Sequence, residues 1–361
     1  MKKILICLLA GIMTLSAVTG CSNGTTSEKN VVENGDGVNN PQNDAVDEND
    51  GVVGTLTAGM VTDTGGVNDR SFNETCWNGL VQAADRFGYS VNYLESKQEA
   101  DYSPNLDTLL DQGTDIIFGV GHLVGEDVLA AAAVNTEQNY VCVDYYYDNP
   151  SQNLIGLNFA EHEPAFLVGY IAGKMTESNK VGFVGGIKFD VIDRFQYGYM
   201  AGVKTANPNA EILVQYAEEF GNATKGKAIA NQMYQKGADI IFHAAGGTGV
   251  GVIEAAKENN KYAIGVDMDQ SYLAPENVLT SAVKRVDVAV IELLEDVSNG
   301  TFPGGQNIVY SLKDGAVGIA ESTANLVPQP IIDEVMNVQE KIIKGEITIP
   351  INQSEYEKIF K

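Results

Sequence analysis

Residues 112–144, QGTDIIFGVGHLVGEDVLAAAAVNTEQNYVCVD, are matched in order and residue type by residues 236–267, KGADIIFHAAGGTGVGVIEAAKENNKYAIGVD. Asp144 and Asp267, which end the two stretches, lie 123 residues apart. This separation is far longer than the roughly 20–50 residues of a solenoid repeat, so the duplicated unit is a whole lobe. The chain therefore predicts two similar lobes that face each other across a cleft.

The same offset recurs upstream of these stretches. Phe72 in the motif DRSF is matched 123 residues later by Phe195 in DRF, and Gly79 is matched by Gly202. Two aromatic rings in equivalent positions on facing lobes predict a pair that stacks on a flat ligand such as a nucleobase, because every base has a π-face. Packing of both rings into the lobe cores is the alternative.

Length and charge limit the classes of function. The 361 residues suffice for two lobes of ordinary domain size, and 44% of them are hydrophobic. The net charge of −25 argues against a nucleic-acid partner, because binding to phosphates needs clustered lysine and arginine. The acidity indicates a well-solvated surface.

The four cysteines fall into two groups. Cys7 and Cys21 lie near the N-terminus, whereas Cys76 and Cys142 lie among apolar neighbours in the repeat region. Neither pair has the spacing of zinc ligands. Buried free thiols are the favoured interpretation of Cys76 and Cys142, since a disulfide between them would require adjacent Cβ atoms.

The N-terminus has the pattern of a lipoprotein signal peptide over residues 1–20. Lys2 and Lys3 precede an apolar run at 4–15 that is too short to span a bilayer, and the motif VTGC ending at Cys21 resembles the bacterial lipobox. In a lipobox the cysteine is lipidated and becomes the mature N-terminus. An ordinary secretory signal and an uncleaved anchor are the alternatives. The prediction is a protein that a lipid such as palmitate attaches to the extracytoplasmic face of a bacterial cell membrane.

Composition divides the rest of the chain. Residues 21–53 are rich in Asn, Gly, Asp and Glu and contain no aromatic residue, which predicts a lipidated cysteine followed by a disordered acidic tether. We assign the first lobe to residues 54–158, with a return of the chain at about 285–320. The second lobe is assigned to residues 159–284, with a return at about 321–361.

Apolar runs alternate with helical patterns in both lobes. Short runs rich in branched residues and with little polar interruption are typical of parallel strands covered on both faces. Their alternation with helices predicts an α/β sheet with right-handed crossovers in each lobe. The predicted strands are LTAGMV (56–61), YSVNYL (89–94), DIIFGVG (115–121), YVCVD (140–144), KVGFVGG (180–186), AEILVQYA (210–217), DIIFHAA (239–245), YAIGVD (262–267) and VLTSAV (278–283).

Three helices carry specific expectations. The motif SFNE predicts a capping box, in which the side chains of Ser71 and Glu74 cap the first turn of a helix. Two further helical patterns, at 286–300 and 330–345, have no counterpart in the repeat. They predict that the chain crosses back, adding one helix to each lobe.

Residues at strand ends are the candidates for binding, because ligands of open α/β sheets bind beyond the carboxyl ends of the strands. Carboxylates there accept hydrogen bonds from sugar hydroxyls or base N–H groups, although an aspartate at a strand end is equally suited to capping the next turn. A glycine turn that begins a helix presents backbone N–H groups to a ligand. This rule selects Asp63, His122, Asp144, Gly246, Gly247 and Asp267.

The sequence lacks the motifs of catalysis and of cofactor binding. A G-x-G-x-x-G motif beginning at Gly247 fails at Val252, and no G-x-x-x-x-G-K-[ST] is present, so neither a dinucleotide nor ATP hydrolysis is expected. The three histidines are scattered, and neither G-x-S-x-G nor H-E-x-x-H occurs. We therefore expect no catalytic residue, no metal and no cofactor. A pair of cleft carboxylates acting in acid–base catalysis is the alternative.

Several long motifs closely resemble the basic membrane protein family, over about residues 54–320. Members of this family are lipoprotein substrate-binding components of ABC transporters, among them purine nucleoside receptors. The resemblance implies a type I periplasmic-binding-protein fold, with two Rossmann-like lobes joined by crossing strands and closing over a nucleoside. The motifs are VTDTGGVNDRSFNETCWNGL (61–80), KVGFVGGIKFDVIDRFQYGYMAGVK (180–204), GADIIFHAAGGTGVGVIEAAK (237–257), YAIGVDMDQSYLAP (262–275) and VLTSAVKRVDVAV (278–290).

The resemblance also implies roles for residues on both lobes. Phe72 and Phe195 would stack on the base, and Asp63 and Asn68 would contact the first-lobe side of the ligand. The strand-end rule also selects Asp63, whereas Asn68 is implied by the resemblance alone.

Sugar recognition is implied for the second lobe. Asp267 and Lys284 would hold the ribose hydroxyls, and Gly247 would approach the ligand with its backbone. Two positions depart from the family pattern: His122 stands where an apolar or aromatic residue is usual, and Asp144 is followed by three tyrosines. Both departures bear on base selectivity.

The functional expectation is a binding protein rather than an enzyme. It captures nucleosides, purine nucleosides in particular, and delivers them to an ABC permease that works with a separate ATPase. It touches the membrane only through its lipid anchor. The alternatives are a sugar or another small ligand in the same fold, a sensory co-receptor, and a nucleoside-hydrolase-like enzyme.

Overall fold

The structure is a computed structural model that describes residues 55–360. The predicted signal peptide, lipidation site and tether lie outside the described residues. Within the described part, no helix is both long enough and apolar enough to cross a membrane.

Strands and helices alternate along the chain, as the hydrophobic pattern predicts. The strands are β1 (Thr57–Thr62), β2 (Ser90–Leu94), β3 (Ile116–Val120), β4 (Asn139–Val143), β5 (Leu154–Phe159), β6 (Lys180–Gly185), β7 (Glu211–Tyr216), β8 (Ile240–Ala244), β9 (Tyr262–Asp267), β10 (Val278–Lys284), β11 (Gln306–Tyr310) and β12 (Val317–Ile319). The α-helices are α1 (Phe72–Phe87), α2 (Tyr102–Asp111), α3 (Gly125–Val134), α4 (His162–Met175), α5 (Asp190–Ala206), α6 (Ala223–Gln235), α7 (Gly246–Asn259), α8 (Val286–Ser298), α9 (Gln329–Ile343) and α10 (Gln353–Ile359).

The strands form two six-stranded sheets with matching topology. The first has the order β11-β5-β4-β3-β1-β2, and the second has the order β12-β10-β9-β8-β6-β7. All described pairings are parallel except that of β10 with β12. The segment β1 to β4 thus has the same order as β6 to β9, which is the structural form of the sequence repeat. The predicted α/β class with parallel sheets is confirmed.

The chain passes between the two sheets three times. It leaves the first sheet after β5, returns after β10 to form β11, and leaves again to form β12 in the second sheet. Helix α8 packs against α1 of the first lobe, and α9 packs against α4 of the second. The structure differs from the predicted lobe ranges at one point. Residues 317–319 pair with β10 in the second sheet, whereas the predicted return to the first lobe extends to about residue 320.

The glycines of the repeat allow helices to approach closely. A Cβ atom on Gly79 would lie 2.8 Å from the Cα of Asp287 in α8, and one on Gly202 would lie 2.0 Å from the carbonyl oxygen of Phe166 in α4. Real Cβ atoms do not make such contacts, so each helix pair requires glycine at this position. Both lobes therefore have a close helix–helix contact at a glycine in equivalent positions of the repeat.

The sheet interiors carry the cores of the lobes. Phe118 of β3 and Phe242 of β8, which are equivalent in the repeat, are both fully buried. Cys76 and Cys142 are buried free thiols. Burial raises the pKa of Cys142 to about 12, so this thiol is neutral and unreactive at physiological pH.

Candidate functional site

The carboxyl ends of the two parallel sheets face a common cleft. Loops after β1, β3 and β4 line it from the first lobe, and loops after β6, β8 and β9 line it from the second. This is the position expected for a ligand of α/β sheets. The lining residues are Asp63, Asp69, Phe72, Asn73, Gly121, His122, Asp144, Phe189, Val191, Ile192, Phe195, Phe220, Ala244, Ala245, Gly246, Val266, Asp267 and Lys284.

Asp144 and Asp267 occupy equivalent positions at the ends of β4 and β9. Their backbones have φ angles of 68° and 65°, in the left-handed region that non-glycine residues rarely adopt. Residues held in this region cluster at binding sites, where the surrounding structure compensates the strain. The duplicated lobes thus aim two carboxylates at each other across the cleft.

Lys284, the last residue of β10, lies between these two carboxylates. Its Nζ is 2.5 Å from Asp144 Oδ2 and 3.8 Å from Asp267 Oδ1, and its side chain is only 2% exposed. Burial by itself lowers the pKa of Lys284. The negative charges of Asp144, Asp267 and Glu161 raise the pKa by more than burial lowers it, so the net pKa is above its ordinary value. The ammonium is therefore charged at any physiological pH.

Burial raises the pKa of both cleft aspartates. Asp144 and Asp267 reach about 6, although Lys284 lowers both values. Desolvation disfavours the ionised form, and one ammonium does not fully offset it for two carboxylates. A ligand that donates hydrogen bonds to these oxygens would stabilise the ionised forms.

Asp69 caps helix α1, which corrects the predicted capping box. Its carboxylate accepts hydrogen bonds from the backbone N–H groups of Ser71, Asn73 and Glu74 at 2.9–3.1 Å. The side chain of Ser71 makes no cap hydrogen bond. Its hydroxyl instead donates to Asp267 Oδ2 at 2.5 Å, in the opposite lobe. The helix begins where predicted, but the serine serves the contact between lobes.

Asn73 joins the two first-lobe carboxylates. Its Nδ2 donates to Asp63 Oδ1 at 2.8 Å and to Asp69 Oδ2 at 3.0 Å. Because carboxylates only accept, these two bonds fix the amide so that Oδ1 remains an acceptor. Within residues 55–360, the buried atoms Asn73 Oδ1 and Asp144 Oδ1 have no hydrogen-bond partner. Burial raises the pKa of Asp63 and raises that of Asp69 to about 6.

The two predicted stacking rings lie near one ammonium. Lys284 Nζ is 4.4 Å from the ring centroid of Phe72 and 5.7 Å from that of Phe195. Phe72 is half-buried and is the first residue of α1, as predicted. Helix α5 begins at Asp190, so Phe195 lies in its second turn, where it packs edge-on against Phe242. Phe72 is thus the more accessible of the two rings.

A second aromatic group lies at the side of the cleft. The His122 ring of the first lobe stacks on Phe189 of the second lobe, with centroids 4.5 Å apart and planes 10° apart. Tyr145 also stacks on His122, with ring centroids 5.1 Å apart, and its hydroxyl hydrogen-bonds to Glu126. Burial lowers the pKa of His122, so this imidazole is neutral at pH 7. The predicted site residue His122 therefore contacts the opposite lobe within the cleft.

Two predicted residues lie outside the cleft lining. Asn68 is exposed, and its neighbour Asp69 faces the cleft instead. Gly247 is replaced in the lining by Gly246, whose φ of 52° turns the backbone toward the cleft. A Cβ atom on Gly247 would lie 3.4 Å from the Phe220 carbonyl oxygen of its own lobe and 3.7 Å from the Asp69 Cα of the first lobe, so Gly247 lies where the two lobes meet.

Sequence reasoning missed four polar or aromatic residues of the lining. Asp69 and Asn73 lie in the same motif as Phe72, three residues before it and one after it. Their closeness to a predicted site residue could have identified both. Phe189 precedes α5 and Phe220 precedes α6, but their pattern does not differ from that of core aromatics.

The described residues contain no cluster of three or more His, Cys, Asp or Glu side chains arranged to hold a metal ion. The chemistry of the cleft is that of recognition: carboxylate and amide acceptors, one ammonium and several aromatic faces. Acceptors outnumber donors among these side chains, so the arrangement suits a neutral molecule with many hydrogen-bond donors.

The comparison with a family model matches residues 56–353 to "ABC transporter substrate-binding protein PnrA-like". Among curated proteins, the chain is 40% identical to basic membrane protein A of Borreliella afzelii over 302 residues, covering 82% of this chain and 92% of that protein. It is 37% identical over 316 residues to the ABC transporter nucleoside-binding protein BmpA of Lactococcus lactis, covering 82% and 89%.

Solved structures give the same picture. The chain resembles an ABC transporter solute-binding protein from Aeropyrum pernix with a TM-score of 0.76 and 28% identity, covering 84% of this chain and 96% of that chain. The fold class predicted from the resemblance, a type I periplasmic-binding-protein fold, is confirmed.

Proposed function

We propose, from the premise that this chain belongs to the PnrA-like family of ABC transporter substrate-binding proteins, that its cleft captures nucleosides and releases them to a membrane permease. The name of the Lactococcus lactis relative supports the ligand class. The single observation that carries the proposal is the composition of the cleft: four aspartates and one lysine beside accessible aromatic rings.

The charges of the cleft select against anions. Asp63, Asp69, Asp144 and Asp267 face the cavity, and Lys284 is the one ammonium in the described lining. A phosphate group would be repelled by these carboxylates and would share a single cation with them. A nucleoside is neutral and offers hydroxyl and N–H donors, so it fits the cleft, whereas a nucleotide does not.

The aromatic rings fit the base of the ligand. Phe72 presents a half-buried ring to the cavity, with Phe195 on the second lobe. Stacking on an aromatic side chain contributes about 1–3 kcal/mol per base. A two-ring base covers more of such a surface than a one-ring base, which favours purine over pyrimidine nucleosides.

The carboxylates divide into two groups on this proposal. Asp267, Lys284 and Asp144 hold the ribose hydroxyls, since the ammonium orients both carboxylates and Asp144 retains an unpartnered oxygen. Asp63 and the free Oδ1 of Asn73 accept donors from the first-lobe side of the ligand. We assign to Asp69 and Gly246 the ligand contacts predicted for Asn68 and Gly247, because Asp69 and Gly246 line the cavity.

Calorimetry with a graded series of ligands tests the proposal. We expect binding of guanosine, inosine and adenosine, weaker binding of uridine, and still weaker binding of guanine, ribose and GMP. Binding of ribose or arabinose in preference to all nucleosides would support the sugar alternative. Absence of a thermal shift with every nucleoside would overturn the proposal, because tight binding to the folded state raises the melting temperature.

We propose that the protein binds without catalysis. Incubation with inosine should return the intact nucleoside, and release of free hypoxanthine would support the hydrolase alternative. Uptake of labelled guanosine by cells that lack the protein separates transport from sensing: reduced uptake is expected of a transporter component and not of a sensory co-receptor.

The membrane attachment proposed for Cys21 has its own test. Labelling with radioactive palmitate should mark the wild-type protein, and the Cys21→Ser variant should be unlabelled and released from the membrane fraction. Labelling of the variant would contradict lipidation at this cysteine.

A further inference from the structure

Gln270 lies outside the cleft lining but connects the two lobes. It follows β9 in the second lobe and has no exposed surface. Its Nε2 donates to the carbonyl oxygen of Arg70 in the first lobe at 2.8 Å. A buried, uncharged side chain thus reaches across the boundary between lobes to a backbone group.

The contacts of Gln270 within its own lobe fix its orientation. Its Oε1 accepts from the N–H of Val266 at 2.9 Å and lies 3.0 Å from Nε2 of His243, while its backbone N–H donates to Ser281 Oγ at 3.1 Å. Since the Val266 N–H can only donate, the amide oxygen must face it, and the amide NH₂ must face Arg70.

The protonation of His243 agrees with this assignment. Facing an acceptor, its Nε2 must carry the proton, which leaves Nδ1 bare, and Nδ1 has no partner in the described part of the chain. Burial lowers the pKa of His243 to about 4, so the ring is neutral at pH 7. Gln270 is therefore held in one orientation by residues of β8, β9 and β10.

The segment that Gln270 reaches is strained and adjoins the cleft. Arg70 has a φ of 55°, a left-handed value that an arginine keeps only when its surroundings hold it there. The next residue, Ser71, donates its hydroxyl to Asp267 Oδ2. Two hydrogen bonds from neighbouring residues thus tie the start of α1, which carries Phe72 and Asn73, to the second lobe.

We propose that the hydrogen bonds Gln270–Arg70 and Ser71–Asp267 form an interlobe latch, and that Gln270 is a positioning residue that sets how tightly the cleft closes. The latch acts through the position of α1, because Gln270 does not line the cavity. Its effect on ligand release rests on the proposed nucleoside binding, whereas its effect on closure does not.

The variant Gln270→Glu tests the latch selectively. Ionised glutamate, which pH 8 favours, keeps an oxygen that accepts from Val266 and His243, but it replaces the donor facing the Arg70 carbonyl with a second acceptor. Gln196→Glu is the matched control, because Gln196 is also buried in the second lobe and its amide oxygen accepts from Tyr216 within that lobe.

Two measurements at pH 8 decide the outcome. Small-angle scattering of the ligand-free proteins should show a larger radius of gyration for Gln270→Glu than for wild type and for Gln196→Glu. Stopped-flow release of guanosine should be about tenfold faster for Gln270→Glu, equivalent to about 1.4 kcal/mol. A purely structural role would lower the urea midpoint and leave the radius and the release rate at their wild-type values, which would overturn the proposal.

The two arms keep this proposal separate from the proposed function. If wild type does not bind guanosine, scattering alone still decides whether the latch holds the lobes. If Gln270→Glu does not fold, Ser71→Ala removes the other bond of the latch with a minimal change in volume. An expanded ligand-free Ser71→Ala variant would then support the latch, and an unchanged radius would overturn it.

Discussion

Replacing Lys284 with methionine removes the ammonium from the cleft while keeping most of the side chain's length. Lys284 Nζ lies 2.5 Å from Asp144 and 3.8 Å from Asp267, and the three side chains are 2–6% exposed. Removal of one partner from a buried ionic group leaves an uncompensated charge. We expect the variant to be less stable than wild type, with a loss that grows with pH.

The pH dependence follows from the two carboxyl groups. With Lys284 present, burial raises the pKa of Asp144 and Asp267 from 3.8 to about 6. Each carboxyl therefore binds its proton more tightly in the folded state than in the unfolded state. Stability falls as the pH rises from about 4 to about 6 and is constant above, where both states are ionised.

Without Lys284 both pKa values rise further, because the ammonium lowers both. The fall in stability then continues above pH 6, at about 1.4 kcal/mol per pH unit for each carboxyl that stays protonated in the folded state. Between pH 6 and pH 7.5 this amounts to about 2 kcal/mol for one carboxyl and about 4 kcal/mol for both. The destabilisation by Lys284→Met should therefore be larger at pH 7.5 than at pH 5.5 by about 2–4 kcal/mol.

Urea unfolding of the ligand-free protein at the two pH values measures this difference. Trp77 is the single tryptophan and lies on α1, so its fluorescence reports the first lobe, and circular dichroism reports both lobes. Lys174→Met is the control: Lys174 pairs with Glu334 at 2.6 Å, and these side chains are 31% and 48% exposed. We expect less than about 1 kcal/mol for this surface pair, at both pH values. An equal loss of stability for Lys284→Met at pH 5.5 and pH 7.5 would refute the reasoning.

Three further predictions concern the ligand and the packing of the lobes. 2′- and 3′-deoxyguanosine should bind at least about tenfold more weakly than guanosine in calorimetry, since each leaves a buried polar group unpaired, and equal affinity would count against Asp267 and Lys284 as ribose contacts. Phe72→Ala should weaken guanosine binding about 5- to 150-fold through lost stacking, and an unchanged dissociation constant would place the base elsewhere in the cleft. Gly202→Ala should lower the free energy of unfolding by more than about 2 kcal/mol in urea titrations, whereas Gly318→Ala, which has open space at its Cβ, should change it little; equal values would contradict the close contact of α4 and α5.

The fold could be predicted from the sequence because its signals are local and repeated. Apolar runs and helical spacing gave the strands and helices, and the 123-residue offset between Asp144 and Asp267 indicated two lobes and the edges that face each other. The sequence also identified Asp63, Asp144 and Asp267 as strand-end residues, and the structure brings all three into the cleft lining. Strand ends are predictable because parallel strands finish at one edge.

The predicted cap of α1 is wrong because two local sequence patterns compete at the same helix start. Ser71 and Glu74 satisfy the capping-box spacing, but Asp69 offers two oxygens to three backbone N–H groups and forms the cap. This leaves the Ser71 hydroxyl free for Asp267, which is 196 residues away along the chain. Periodicity within one helix carries no information about such a contact.

The equivalence of Phe72 and Phe195 in the repeat also has a limit. The two residues keep the offset, but α1 begins at Phe72 whereas α5 begins five residues before Phe195. The second ring is therefore carried into the helix, where it packs on Phe242, and Phe189 takes the place beside the helix start. A conserved offset predicts equivalent positions in the lobes, and it does not predict equal exposure.

The two cleft carboxylates, Asp144 and Asp267, explain why duplication of a lobe would not by itself give two lobes that can close on each other. Duplication provides Asp144 and Asp267 with the same left-handed backbone at equivalent strand ends, so closure of the lobes brings two like charges together in a buried space. Such charges repel each other unless one is neutralised or a cation is shared. Lys284 supplies that cation from the end of β10, whereas β5, the equivalent strand of the first sheet, ends at Phe159. The ammonium lies close to both carboxylates. Because the cation is shared, neither carboxylate is fully compensated, and on the proposed function a ligand rich in hydroxyl donors would stabilise the closed form where a bound anion would not.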